Sequence, residues 1–226
     1  MEGNLMNKKN SKSSLGKIIT LVLILIIPGL LHFYLRRTGE NVYKPLPYLG
    51  LSGKDSITQV QPFQLINENN EPVSFPNGSS ITIVNFMHTD CDAFGDLMNL
   101  AMVKVAKKFG KHPMVDLYSI SLDSNDSPEV LKKFYNKYKV SDTKWHLLTG
   151  DQKETSRIAR EEFRIDGFQD TLSNNKIIHS PFFVLLDSKQ QIRGYYEFFT
   201  KDEVDRLIGE VILLITEESR NKKTVP

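Results

Sequence analysis

The 226-residue sequence has a single cysteine, Cys91, and almost no excess of charge of either sign. One cysteine excludes an intrachain disulfide and a zinc site built from several thiolates. The balance of 29 Lys and Arg against 27 Asp and Glu lacks the basic field that a nucleic-acid-binding protein needs. The apolar content of 40% and charged content of 25% are ordinary globular values, which exclude wholesale disorder and a polytopic membrane protein.

One long apolar run stands near the N-terminus. Residues 18–35 carry no formal charge, and a helix of about 20 such residues crosses a bilayer. Tyr34 beside Arg36 and Arg37 is typical of a membrane interface. The small-residue cleavage site of a signal peptide is missing, as is the cysteine that a lipoprotein needs after its apolar run. The run therefore predicts an uncleaved, single-pass anchor over 16–35; a removed signal peptide is the alternative.

The charges around this anchor predict its orientation. Four lysines precede the uncharged run 18–35 and three basic residues follow it, so the positive-inside rule slightly favours a cytoplasmic N-terminus and an extracytoplasmic (periplasmic) domain. Composition divides the chain into a polar tail, the anchor, a linker rich in Gly and Pro, a folded domain and a short tail. The predicted bounds of these five parts are 1–15, 16–35, 36–55, 56–218 and 219–226.

Strands and helices alternate in the folded part. Apolar runs predict buried strands, and apolar residues at helical spacing behind Ser, Asp or Thr caps predict helices. The order is strand, helix, strand, helix, helix, a two-stranded hairpin and a last helix, which predicts an α/β, thioredoxin-like three-layer fold with a central mixed sheet flanked by helices and preceded by one transmembrane helix. The predicted elements are strand 81–87, helix 97–109, strand 115–122, a helix from 128, a helix from 151 to about 163, strands 181–187 and 192–198, and a helix opened by Thr200 and Glu203.

Cys91 lies between the predicted strand 81–87 and a helix that begins near Gly95. The unpaired N–H groups at a helix N-terminus lower the pKa of a thiol, whereas the carboxylates of Asp90 and Asp92 raise it. The sequence leaves the sign of the net shift open. The alternative to a reactive cysteine is a small buried apolar residue.

His179 is the second candidate, because it stands two residues before Pro181 at the start of the predicted hairpin. In thioredoxin-like folds this loop faces the turn that holds the cysteine. A Cys–His pair can bind Cu(I), or the imidazole can activate the thiol. The alternative is a surface histidine bonded to backbone.

These residues carry a resemblance to the Sco/SenC family. Residues 119–138 resemble the family's strand, Asp-rich turn and helix, 145–151 its Trp-x-x-Leu-Thr-Gly segment, and 85–91 the strand entering its metal-binding turn. His179 falls at the position of the family's ligand histidine. The resemblance covers about 45–215 and implies a membrane-tethered, thioredoxin-fold metallochaperone that binds copper and helps to assemble cytochrome c oxidase. The residues that match within the Asp-rich segment are Asp123, Asp126, Pro128 and Leu131.

The metal-binding turn departs from the family pattern. The family has Cys-x-x-x-Cys, and here Gly95 replaces the second cysteine, so we expect weaker copper binding because one of two soft anionic ligands is gone. His88 is a weaker candidate for a substitute ligand; its alternative is a structural or exposed histidine. Asp92 is less suited still, since a carboxylate matches Cu(I) poorly. Asp123 and Asp126 are interpreted as a turn followed by a helix cap.

Three functions follow from these residues. The first is a copper-binding and copper-delivering assembly protein, with Cys91 and His179 as metal ligands and a respiratory oxidase subunit or redox partner as its target; this favours a non-enzymatic role. The second is a one-cysteine thiol oxidoreductase or peroxidase in which Cys91 is catalytic and an external thiol resolves it. The third is a non-catalytic binding module. None of the three involves nucleic acid.

Overall fold

The structure is a computed structural model that describes residues 12–38, 45–49, 59–90, 93–138, 140, 143–165 and 180–224. The chain forms two compact units, Met1–Lys44 and Pro45–Pro226. In the first unit, helix α1 spans Lys12–Thr38. Its segment Gly16–Tyr34 is long and apolar enough to cross a membrane, a property that a signal sequence shares.

The second unit is built on one seven-stranded sheet with the strand order β2-β1-β5-β4-β3-β6-β7. The three central strands β3, β4 and β5 are parallel, and the pairs β1–β2, β1–β5, β3–β6 and β6–β7 are antiparallel. The strands are β1 Phe63–Asn67, β2 Pro72–Phe75, β3 Ile81–Met87, β4 Val115–Ser121, β5 Trp145–Thr149, β6 Phe182–Leu186 and β7 Ile192–Glu197.

Helices cover both faces of this sheet. Ile83 and Met87 of β3 belong to a core shared with α2, α3 and α5, whereas Val84 and Phe86 belong to a second core that includes Phe163. All seven residues of β3 and all seven of β4 are therefore buried, which explains the nearly continuous apolar sequence of β3. The helices are α2 Ala93–Phe109, α3 Pro128–Tyr138, α4 Gln152–Arg157 with a π-helical turn Ile158–Glu162 after it, and α5 Lys201–Thr224.

The predicted α/β architecture is confirmed, and strand 81–87 has the predicted bounds. The structure adds strands β1, β2 and β5, which were not predicted. The last helix, α5, spans Lys201–Thr224 within the compact unit Pro45–Pro226. The predicted helix after Asp151 is present, with Asp151 accepting hydrogen bonds from the backbone N–H of Lys153 and Glu154 as its N-cap.

A buried arginine holds together the amino end of the sheet, the end where β3, β4 and β5 begin. The guanidinium of Arg193 lies 3.1 Å from Asp187, 3.3 Å from Glu217 and 2.8 Å from the carbonyl oxygen of Leu46. It also lies 4.2 Å from the ring of Tyr48. Arg193 thus ties the chain at residues 46–48 to the sheet and to α5.

Candidate functional site

The chain around position 91 lies at the carboxyl end of the sheet, where β3, β4 and β5 finish. Strand β3 ends at Met87, His88–Asp90 follow, and α2 begins at Ala93. Position 91 therefore falls between a buried strand and a helix N-terminus, as predicted. Cys91 and Asp92 themselves lie outside the described residues.

The chain next to position 179 is at the same end of the sheet. Strand β6 pairs antiparallel with β3, and Asn85 lies opposite Phe183. If that register is continued along both strands, Ser180 comes opposite His88. Ser180 is fully buried, and its hydroxyl accepts a hydrogen bond from the backbone N–H of Phe182 at 3.3 Å. His179 lies outside the described residues, so its pairing with Cys91 stays a prediction.

His88 is buried, with 7% of its surface exposed, directly after β3. The side chains of β3 alternate between the two cores, with Val84 and Phe86 in the core that contains Phe163. The alternative in which His88 is an exposed histidine is therefore wrong. The role of His88 as a ligand stays a prediction.

A buried carboxylate holds the chain just before position 91. Asp126, which is 3% exposed, accepts a hydrogen bond from the backbone N–H of Thr89 at 2.9 Å and another from the Thr89 hydroxyl. It accepts a third from the hydroxyl of Ser121 at 2.5 Å. Thr89 is thus attached to the turn after β4.

The predicted cap of α3, Ser127, is confirmed, and Asp126 does not cap this helix. The cap of α3 is the hydroxyl of Ser127, which accepts from the N–H of Val130 at 3.4 Å. Asp123 does form the predicted turn, accepting from the N–H of Asn125 at 2.8 Å. The sequence signal for Asp126 was its place in an Asp-rich turn, but nothing local indicated a partner 37 residues away.

The first turns of α2 are fixed from two sides. The side-chain amide of the buried Asn99 donates to the carbonyl oxygen of Gly95 at 2.8 Å. On the surface, Asp96 accepts from Lys137 and from the Tyr138 hydroxyl, each at 3.1 Å. The hydrogen bond from Lys137 is the main cause that lowers the pKa of Asp96, which keeps a negative charge in the first turn of the helix.

A chain of buried polar groups links the three parallel strands. The indole N–H of Trp145 on β5 donates to the hydroxyl of Ser119 on β4 at 2.9 Å, and that hydroxyl donates to the Oδ1 atom of Asn85 on β3 at 2.6 Å. All three side chains are buried. These hydrogen bonds fix the mutual position of the strands whose ends carry the site.

The described part of the chain contains no group of three His, Cys, Asp or Glu side chains that could hold a metal ion. The two predicted ligands, Cys91 and His179, belong to 91–92 and 166–179, which are outside it. The donor types of these two residues, one thiolate and one imidazole, are those that copper accepts.

A mixed sheet with helices on both faces and a strand-to-helix turn at the carboxyl end of its central strand define a thioredoxin-like domain. The SCO1/SenC family model matches residues 52–212, and the chain belongs to this family. A curated relative, the SCO1 protein homolog of Bacillus subtilis, is 26% identical over 180 residues, which cover 76% of this chain and 86% of the relative.

Solved structures have the same fold. BsSco, a member of the Sco family of cytochrome c oxidase assembly proteins, is 26% identical with a TM-score of 0.61, covering 72% of this chain and 96% of its own. A SCO1/SenC family lipoprotein of Bacillus anthracis is 25% identical with a TM-score of 0.61, covering 76% and 98%. Copper-bound ScoI of Arabidopsis thaliana, at 21% identity, a TM-score of 0.58 and coverage of 71% and 99%, shares the fold.

Proposed function

We propose that this chain is a membrane-anchored Sco protein that binds copper through Cys91 and His179 and assists the assembly of cytochrome c oxidase. Membership of the SCO1/SenC family supports the class of function. BsSco, at 26% identity, belongs to a family of cytochrome c oxidase assembly proteins, and Sco proteins of this fold from Arabidopsis thaliana and yeast bind copper. The proposed role is that of a metallochaperone and not of an enzyme.

The observation that carries the proposal is the convergence of two chain segments at one end of the sheet. Asp90 and Ala93 flank position 91 after β3, and Ser180 follows position 179 before β6, which is the antiparallel neighbour of β3. A soft thiolate and an imidazole brought to this end of the sheet would suit Cu(I). The buried His88 is the remaining candidate for a third ligand.

The site we propose has one thiolate fewer than the family pattern. Gly95 stands where the family has its second cysteine, so neither a second thiolate ligand nor a disulfide with Cys91 is possible within the chain. Copper affinity should therefore be lower than in a two-cysteine site. A lower affinity favours release of copper to a partner, which we propose to be a respiratory oxidase subunit.

The proposed location follows from the N-terminal helix. Gly16–Tyr34 would serve as an uncleaved single-pass anchor, with the N-terminus in the cytoplasm and the domain outside it. Protease treatment of spheroplasts carrying the full chain tests this arrangement. Digestion of the domain while a tag before residue 12 stays intact supports it, and protection of the domain contradicts it.

Copper binding is tested with the full chain purified in detergent and reduced. Cu(I) is titrated in competition with a chromophoric chelator, for the natural chain, Cys91→Ser and His179→Ala. We expect each substitution to weaken binding at least tenfold, and His112→Ala, which removes a histidine at the opposite end of the sheet, to leave it unchanged. Gly95→Cys should tighten binding at least tenfold, because it adds a second thiolate.

The same titration can overturn the proposal. Binding by the natural chain no tighter than that of the Cys91→Ser, His179→Ala double variant removes the copper role. Consumption of peroxide by such a copper-free chain, abolished by Cys91→Ser, would assign it to the thiol oxidoreductases instead.

A further inference from the structure

The hydrogen bonds of Asp126 are directed at the chain that leads to the candidate site. The backbone N–H and the hydroxyl of Thr89 both donate to this carboxylate, and Thr89 is two residues before Cys91. The third donor, Ser121, is the last residue of β4, which pairs with Met87 at the end of β3. One carboxylate therefore connects the carboxyl ends of two adjacent parallel strands, β3 and β4.

The stability of the local turn does not account for this arrangement. Ser127 caps α3, and Asp123 closes its own turn. Asp126 is 3% exposed, and the donors to its carboxylate are neutral: the N–H and the hydroxyl of Thr89 and the hydroxyl of Ser121. A buried carboxylate costs free energy unless hydrogen bonds compensate for its lost hydration, and here two of its three donors are groups of Thr89.

We propose that Asp126 is a positioning residue for the Cys91 site. By holding both the N–H and the hydroxyl of Thr89, it fixes the direction in which the chain leaves β3 and so restricts the positions that the Cys91 sulfur can reach. Its role toward copper rests on the proposed function. Groups that orient a metal ligand without touching the metal commonly change metal affinity by 10- to 100-fold when they are removed.

This positioning matters more in a site with one thiolate. In such a site the loop that carries the cysteine gains little order from the metal itself, because fewer bonds tie it there. A preorganised loop loses less conformational entropy when the metal binds. In this chain the hydrogen bonds from Thr89 to Asp126 restrict the loop in the way that a second metal–thiolate bond would.

The test compares Asp126→Ala and Thr89→Val with Ser127→Ala, all in the full chain in detergent. Thr89→Val keeps the backbone N–H and the side-chain shape but removes the hydroxyl, and Thr89→Ser restores it. Ser127→Ala is the matched control, because it removes a hydrogen bond one residue from Asp126 without touching Thr89. Fluorescence of Trp145, the single tryptophan and a buried one, reports whether each variant is folded.

Two readouts distinguish positioning from general stability. Cu(I) affinity should fall about 10- to 100-fold in Asp126→Ala and about tenfold in Thr89→Val, and should recover in Thr89→Ser. The rate of alkylation of Cys91, the single thiol, by iodoacetamide should change severalfold in the first two variants. Ser127→Ala should change neither.

The outcomes separate this inference from the proposed function. If the natural chain does not bind copper, the proposed function fails, and the alkylation rates alone decide whether Asp126 positions Cys91. If Thr89→Val is folded and matches the natural chain in alkylation rate and Cu(I) affinity, the positioning role is overturned, whether or not Asp126→Ala folds. Equal changes in Ser127→Ala overturn it as well, since they would reflect stability alone.

Discussion

The two ends of the sheet are held by opposite kinds of polar contact. At the amino end, the buried Arg193 is paired with Asp187 and Glu217, so that its charge is compensated. At the carboxyl end, the buried Asp126 is held by the neutral donors of Thr89 and Ser121. Seven-residue strands of about 3.3 Å per residue place these two centres roughly 20 Å apart. The amino end therefore has a buried cation compensated by carboxylates, whereas the carboxyl end has a carboxylate held by neutral donors beside the proposed site.

The comparison predicts its largest effect at Arg193. Arg193→Met leaves Asp187, which is 4% exposed, as a buried carboxylate without its cation, and it also removes the contact with the carbonyl of Leu46. We expect a loss of about 3–5 kcal/mol in the free energy of unfolding, because breaking a buried ion pair leaves an uncompensated charge. Urea unfolding of the full chain in detergent, followed by the fluorescence of Trp145, measures it.

The matched control for Arg193→Met is Arg157→Met. Arg157 forms surface ion pairs with Glu154 and Glu161 and a longer one of 3.7 Å with Glu162. Because the Arg157 side chain is 41% exposed, water screens its charge, so this variant should lose only a small fraction as much stability. Copper affinity should be unchanged in both variants. A fall in copper affinity in Arg193→Met, at a urea concentration where it is folded, would show that the two ends are not independent.

An intermediate effect is expected at Ser121. Ser121→Ala removes one of the three donors to the Asp126 carboxylate and leaves that buried charge less well satisfied. A hydrogen bond to a charged group contributes about 1.5–3 kcal/mol, so we expect a stability loss of about 2 kcal/mol. In contrast to Arg193→Met, this variant should also change the rate at which iodoacetamide alkylates Cys91. An unchanged rate together with the expected loss of stability would make Asp126 a structural group like Arg193.

Sequence patterns predicted the elements whose signal is local. The strand Ile81–Met87 is a continuous apolar run, and the helices are marked by caps such as Asp151. Strands β1 and β2 were missed because they are short and partly exposed, and Pro72 opens β2. Their buried side chains Phe63, Leu65 and Phe75 belong to the second core, and the alternation along β1 covers only five residues.

One feature of the candidate site could also be predicted from local sequence, and another could not. The place of Cys91 between a strand and a helix could be predicted, since both flanking elements are local. The contact of Asp126 with Thr89 could not, because it depends on the parallel register that sets Met87 opposite Ser121. A register between strands 34 residues apart is a property of the sheet and leaves no local trace at either position.

The smallest loss of stability is expected at Glu217, one of the two carboxylates that pair with Arg193. Glu217 is 26% exposed and lies 3.3 Å from the guanidinium, whereas Asp187 is 6% exposed in its side chain and lies at 3.1 Å. Glu217→Gln keeps an acceptor oxygen, and water screens the charge that it removes, so we expect a loss below about 1 kcal/mol. Asp187→Asn should cost several times more, because Asp187 is the buried partner. Equal losses in the two variants, measured by the fluorescence of Trp145 in urea, would mean that Arg193 is held by the sum of the charges around it and not by one buried pair.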